Sequence, residues 1–130
     1  MKILKQVIDE IVAHAQSEAP IEACGYLAAK DGIAVKHFKL TNTDAAKEHF
    51  SLDPKEQFNA IRQMRTEGLT ACAVYHSHPE SPARPSEEDI RLAFDPNLHY
   101  VIVSLAGGLE TTKAFRIING AVTEETVESV

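Results

Sequence analysis

The sequence predicts an α/β (α+β) fold in which a mixed, largely antiparallel β-sheet is flanked by helices. Three observations predict it. Apolar residues recur at spacings of three and four along the N-terminal segment, two turn dipeptides (Asp31-Gly32 and Asn119-Gly120) join apolar segments near the two ends, and Leu69 to Tyr75 (LTACAVY) is an almost unbroken apolar run. The first pattern marks a helix with one buried face, the second marks two-residue hairpin turns, and the third marks a strand buried on both sides.

Each element follows in order. Ile3, Leu4, Val7, Ile8, Ile11, Val12 and Ala15 make one face of a helix running about from Lys2 to Glu18, and Pro20 marks its boundary. Ala23 to Lys30 and Ile33 to Leu40 are strands joined at Asp31-Gly32. The polar stretch Thr41 to Ser51 is a loop. Asp53-Pro54 reads as an N-cap followed by a first-turn proline, with Gly68 as the stop; Phe58 and Ile61 provide the apolar stripe, extended by Met64 and Ala60. The strand at Leu69 to Tyr75 ends at His76-Ser77-His78-Pro79, and Pro79, Pro82 and Pro85 impose a loop. Ser86 to Phe94 is a short helix closed by Asp95-Pro96. Tyr100 to Leu105 is a strand, Gly107-Gly108 turns it into Glu110 to Ile117, and Asn119-Gly120 leads to a last strand near Ala121 to Thr126. Three helices and about six strands result, in one domain spanning residues 1–130.

Composition removes several function classes. The 130 residues carry 13 Lys+Arg against 19 Asp+Glu, a formal charge of −6 with no long basic run, which argues against an electrostatic nucleic-acid binder. Two cysteines, Cys24 and Cys72, are too few for a disulfide framework. No apolar stretch approaches the roughly 18 residues that cross a bilayer. The N-terminus carries Asp9 and Glu10 within its apolar pattern, unlike a signal peptide. The expectation is a soluble acidic protein of a reducing compartment, the cytoplasm, with no membrane partner and its oligomeric state open.

Chemistry concentrates in one segment. On an extended backbone His76 and His78 project to the same side while Ser77 points away, and Pro79 restricts His78 to extended geometry. Asp89 follows after a proline-stiffened loop long enough to turn back. Two imidazoles and a carboxylate, leaving a fourth position for water, is the donor set of a catalytic zinc centre. Each piece also has a structural reading: His-x-His as polar surface at a strand end, and Ser86-x-x-Asp89 as a helix cap. Glu87 and Glu88 read as a solvated helix N-terminus, and His14, His37, His49 and His99 lack a partner at ligand spacing. A hydrolytic centre also needs a base. Glu22 opens an otherwise apolar strand, where a carboxylate is costly unless it has a role, but periodicity cannot bring it to His76. Residue chemistry alone ends at a candidate metal site.

The same residues resemble a known family. His76-x-His78-Pro79, six residues, Ser86, two residues and Asp89 is similar to the complete JAMM motif of the MPN+ metalloproteases, and Pro20-x-Glu22-x-Cys24-Gly25 resembles the glutamate-bearing block of its compact bacterial members. The resemblance implies a cytidine-deaminase-like arrangement of sheet and helices. It implies one Zn2+ per chain on His76, His78 and Asp89, Glu22 as general base and acid, and Ser86 as donor to the oxyanion. Whether the Ser86 hydroxyl serves there, as the helix cap, or both stays open at this stage. Cys24 matches the block and reads as a small buried residue. The implied reaction is hydrolysis of a peptide or isopeptide bond, with a ubiquitin-like sulfur-carrier protein bearing a diglycine tail as substrate. Alternatives of other classes are a zinc hydrolase of small peptides or amides and a non-catalytic MPN-type binding module. A deaminase is excluded, since Cys24 and Cys72 cannot form its Cys-x-x-Cys ligand pair.

Overall fold

The computed structural model describes residues 1–130. Its strands are β1 (Lys2–Ile3), β2 (Cys24–Lys30), β3 (Ile33–Leu40), β4 (Thr70–His78), β5 (His99–Ser104), β6 (Thr111–Ile118), β7 (Ala121–Glu125) and β8 (Glu128–Ser129). Its helices are α1 (Lys5–Glu18), α2 (Pro54–Thr66) and α3 (Glu87–Arg91), with a 3-10 turn at Ala106–Gly108. One eight-stranded sheet runs in the order β7-β6-β5-β4-β2-β3-β1-β8. The pairs β4·β5, β1·β3 and β1·β8 are parallel and the other four are antiparallel, so the sheet is mixed as expected.

Both hairpins form where the turn dipeptides stand. Asp31 and Gly32 (φ 53° and 80°) and Asn119 and Gly120 (φ 50° and 81°) take positive φ at both central positions, the requirement of a type I′ turn. Asp53 caps α2 by accepting from the Lys55 amide at 2.9 Å, and Gly68 (φ 72°) follows the helix in the left-handed conformation.

Several boundaries differ from the sequence reading, each for a non-local reason. The helix expected from Lys2 begins at Lys5, because Lys2 and Ile3 pair in parallel with Ile33 and Ala34 and with Glu128 and Ser129. These two-residue strands, too short to show a period, raise the strand count to eight. The central strand does not stop at Tyr75 but runs through His78, since β5 supplies partners as far as Ser104. The helix expected over Ser86 to Phe94 is only Glu87–Arg91. On α2 the buried residues are Ala60 and Met64, whereas Phe58 is 62% exposed with the Arg62 guanidinium over its ring. Phe58 sits one position from Gln57, which faces the sheet and donates to the Tyr26 hydroxyl at 2.9 Å; one residue of helix turns the side chain about 100° away.

The sheet is buried on both faces. Helix α1 lays Val7, Ile11, Val12 and Ala15 against Leu27, Ala73, Tyr75, Val101 and Val103. Helix α2 lays Ala60 and Met64 against Cys24, Tyr26, Ala28, Phe38 and Leu40 on the other face. Alternation along β4 therefore sends Ala73 and Tyr75 toward α1, and His76 and His78 to the opposite side. That parity sets the face on which the chemistry occurs.

Candidate active site

The end of β4 is pinned before any side-chain chemistry begins. Ser77 donates its amide to the Ala23 carbonyl at 2.9 Å, and its hydroxyl oxygen accepts from the Ala23 amide at 2.7 Å. Register pairs Cys24 with His76, which sets Glu22, 54 positions earlier than His76 in the chain, beside the histidine pair.

His76 and His78 present their Nε2 atoms 3.0 Å apart, and each Nε2 lies 3.1 Å from Oδ2 of Asp89. All three side chains are largely buried. His78 donates Nδ1–H to the Pro82 carbonyl at 2.9 Å, so that in the neutral ring the Nε2 lone pair faces the cluster. His76 Nδ1 is buried without a partner, and the Phe50 ring stacks on the imidazole at 4.8 Å and 29°.

Asp89 arrives on α3 through a capping box. The Ser86 hydroxyl oxygen accepts from the Asp89 amide at 3.0 Å, and Asp89 Oδ2 accepts from the Ser86 amide at 2.9 Å. Ser86 is thus the helix cap by its oxygen, while its hydroxyl proton stays free to donate. Burial alone would raise the Asp89 carboxyl, yet the hydrogen bonds from His76 and His78 hold it far below the usual carboxylate range. For His78 burial opposes the charged form, but Asp89 and the Pro82 carbonyl outweigh it and raise the imidazole.

Glu22 lies just before β2, only 3% exposed, and its Oε1 has no hydrogen-bond partner. Burial pushes its carboxyl up to about 8; nearby His78 opposes this, while Asp89, Glu88 and Glu48 reinforce it. Glu22, His78 and Ser86 share a wholly polar basin of about 650 Å³ that also receives Lys47, Glu80 and Arg91. On the other side of the cluster, His76 and Asp89 close a mainly apolar groove of about 550 Å³ along Phe50, Leu52, Leu92 and Phe94.

The structure therefore brings all five sequence-predicted residues to one place. Cys24 is fully buried in the α2-side core with its thiol pushed up to about 12 by burial, and it does not reach the basin. Asn42 and Phe50 touch this site without any signal in the sequence, since the polar stretch that holds them has no period. His14, without a ligand role, is a buried partner of the Tyr75 hydroxyl at 2.7 Å.

The donors suit a divalent transition metal. Tetrahedral zinc with Zn–N distances of about 2.0–2.1 Å separates its ligand atoms by roughly 3.3–3.4 Å. Three donor atoms at 3.0–3.1 Å, with no fourth side chain converging on them, outline one face of such a tetrahedron. A three-ligand set with an open position belongs to the class of catalytic, hydrolytic metal centres rather than structural ones.

Comparison with known proteins narrows the class. Residues 4–118 match the profile of the prokaryotic homologs of the JAB domain. The chain is 37% identical over 131 residues to the CysO-cysteine peptidase of Mycobacterium tuberculosis, an alignment covering 98% of this chain and 90% of that protein. It is 34% identical over 88 residues to a probable TtuB-protein conjugate cleaving protease of Thermus thermophilus, covering 67% and 59% of the two chains. The solution structure of a protein from Desulfitobacterium hafniense superposes with a TM-score of 0.90 at 42% identity, covering 99% of this chain and 92% of the other. The chain belongs to the prokaryotic JAB-domain family, compact members of the JAMM/MPN group, and is a hydrolase acting on peptide bonds.

Proposed function

We propose that this protein is a zinc metallopeptidase that hydrolyses the peptide or isopeptide bond following the C-terminal tail of a ubiquitin-like sulfur-carrier protein. One observation carries the chemistry: His76 Nε2, His78 Nε2 and Asp89 Oδ2 converge within 3.0–3.1 Å of one another beside the unpartnered Glu22 carboxylate. The match to a CysO-cysteine peptidase over nearly the whole chain supports the substrate class.

When bound by His76, His78 and Asp89, one zinc ion supplies a Lewis acid that polarises the scissile carbonyl and acidifies a water. Glu22 takes the proton from the attacking water and returns it to the leaving amine. Its carboxyl is buried without a partner at Oε1, so no protein hydrogen bond competes for the proton it takes up and gives back. Ser86, whose oxygen is engaged by the Asp89 amide, donates a hydrogen bond through its free hydroxyl to the oxyanion of the tetrahedral intermediate. Because Glu22 protonates the amine, the leaving group lies over the polar basin and the acyl tail lies in the apolar groove on the His76 side. A diglycine end suits that passage, since an extended segment without side chains can approach the donor cluster closely.

Metal analysis of protein purified without chelators tests the centre: one zinc per chain is expected, lost in His76→Ala and Asp89→Ala. Glu22→Gln keeps the zinc and loses turnover by roughly 10²–10⁴-fold. Mass spectrometry of sulfur carriers bearing a C-terminal cysteine or peptide adduct tests the substrate. Cleavage of short peptides without cleavage of any carrier adduct would overturn the substrate assignment, and protein without zinc would overturn the centre.

A further inference from the structure

Two of the five site residues lack a polar anchor of their own. His78 is held at Nδ1 by the Pro82 carbonyl, and Asp89 by the Ser86 amide. The two buried side-chain atoms left without a partner are Glu22 Oε1 and His76 Nδ1. Both belong to groups whose direction decides the chemistry, and one segment, residues 42–51, reaches both.

Asn42 organises that segment. Its Nδ2 donates to the Glu22 carbonyl and to the His49 carbonyl, each at 3.0 Å, and its Oδ1 accepts from the amides of Asp44 at 3.1 Å and Ser51 at 3.3 Å. The Glu22 amide in turn donates to the Ala46 carbonyl at 2.9 Å. Both backbone polar groups of Glu22 are thus bound by the loop, and the next residue is locked to β4 through Ser77. With no hydrogen bond at Oε1, the aim of the carboxylate follows from where its backbone is held. The loop then closes on itself, Thr43 donating its amide to the Ser51 carbonyl at 3.0 Å, which fixes Phe50 against the His76 ring.

We infer that Asn42 and Phe50 are positioning residues: Asn42 sets the backbone and hence the aim of Glu22, and Phe50 sets the plane of the His76 imidazole. This rests on the assignment of Glu22 and His76 given under the proposed function. The two sides of Asn42 are chemically separable. Asp at this position keeps the acceptor that closes the loop and removes both donors, whereas Gln is one methylene too long to serve both.

The test uses the full chain with Asn42→Ala, Asn42→Asp and Phe50→Leu. Turnover is read on a sulfur-carrier protein with an amide-linked C-terminal cysteine, zinc affinity by competition with a chromophoric chelator, and the Glu22 clamp by amide hydrogen exchange. Both Asn42 variants are expected to lower kcat at least tenfold, since misplacement of a catalytic group by about 1 Å can cost 10²-fold. They are expected to change KM less than twofold, keep zinc affinity and speed exchange of the Glu22 amide. Phe50→Leu is expected to weaken zinc about tenfold, as loss of a ligand-orienting neighbour does. Wild-type kcat in both Asn42 variants, or wild-type zinc affinity in Phe50→Leu, would overturn the inference. A uniform loss of stability, kcat and zinc without the split would do the same. If Glu22→Gln itself turns over normally, the assignment of the base fails instead, and the exchange and zinc measurements still decide what the loop holds.

Discussion

The Glu22 carboxyl makes metal-free protein less stable as pH rises. Folding raises its pKa from 4.5 to about 8, chiefly through burial. Between those values the native state holds a proton that the unfolded chain has released, so stability falls with pH, by at most about 1.4 kcal/mol per pH unit from this one group. His78, also raised on folding, contributes with the same sign above 6.5. Asp89, strongly depressed, acts on the other side of the window: its contribution is present above 3.8 and is lost as pH falls below that value. Comparison with Glu22→Gln isolates the single carboxyl, because the amide keeps its shape and does not titrate. Urea unfolding of chelator-treated protein at intervals from pH 5 to pH 8 supplies the two curves. The stability of the variant relative to wild type should climb across the window to a few kcal/mol. A difference that stays flat would mean that the carboxyl titrates at its ordinary value, and the account of a buried, unpartnered carboxyl would be wrong.

Two further perturbations test the scaffold beneath the site. A Cβ at Gly25 would stand 2.4 Å from the Phe38 carbonyl oxygen and 2.5 Å from Tyr75 Cε1, in a strand paired on both sides. Gly25→Ala should therefore destabilise the protein by about 1–3 kcal/mol or more, and an unchanged thermal midpoint would contradict the packing described. Tyr75→Phe removes the hydroxyl bonded to buried His14 and should cost about 1–3 kcal/mol. Adding His14→Phe should cost less than the sum of the two single changes, and additive losses by urea unfolding would show that the pair is not coupled.

Much of this was legible because its causes are local. Asp31-Gly32 and Asn119-Gly120 demand positive φ, and Asp53-Pro54 with Gly68 bounds a helix by capping, so those elements lie where the residues place them. The His76-x-His78 pair was legible for the same reason, since strand alternation needs no information beyond the segment itself. What could not be read is what another strand decides. Lys2 and Ile3 leave the helix only because β3 and β8 offer them partners. The central strand reaches His78 only because β5 pairs that far. Asn42 looks like any residue of a polar loop until its carbonyl partner, Glu22, is brought to it from 20 positions away.

The upstream block then gains a physical reading residue by residue. Glu22 is the buried carboxylate, and Cys24, fully buried against Leu40 and Met64, fills space in the α2-side core. Gly25 matters for what it lacks: Tyr75 lies across the position its Cβ would occupy, so β2 and β4 can approach in this register. That register pairs Cys24 with His76 and hence determines which carboxylate stands beside the imidazoles. A slip by one residue would turn Glu22 to the α1 face and separate its carboxyl from the imidazoles. The short block is accordingly one device, in which a glycine and a packed thiol hold the strand pairing that sets a buried glutamate beside the histidine pair.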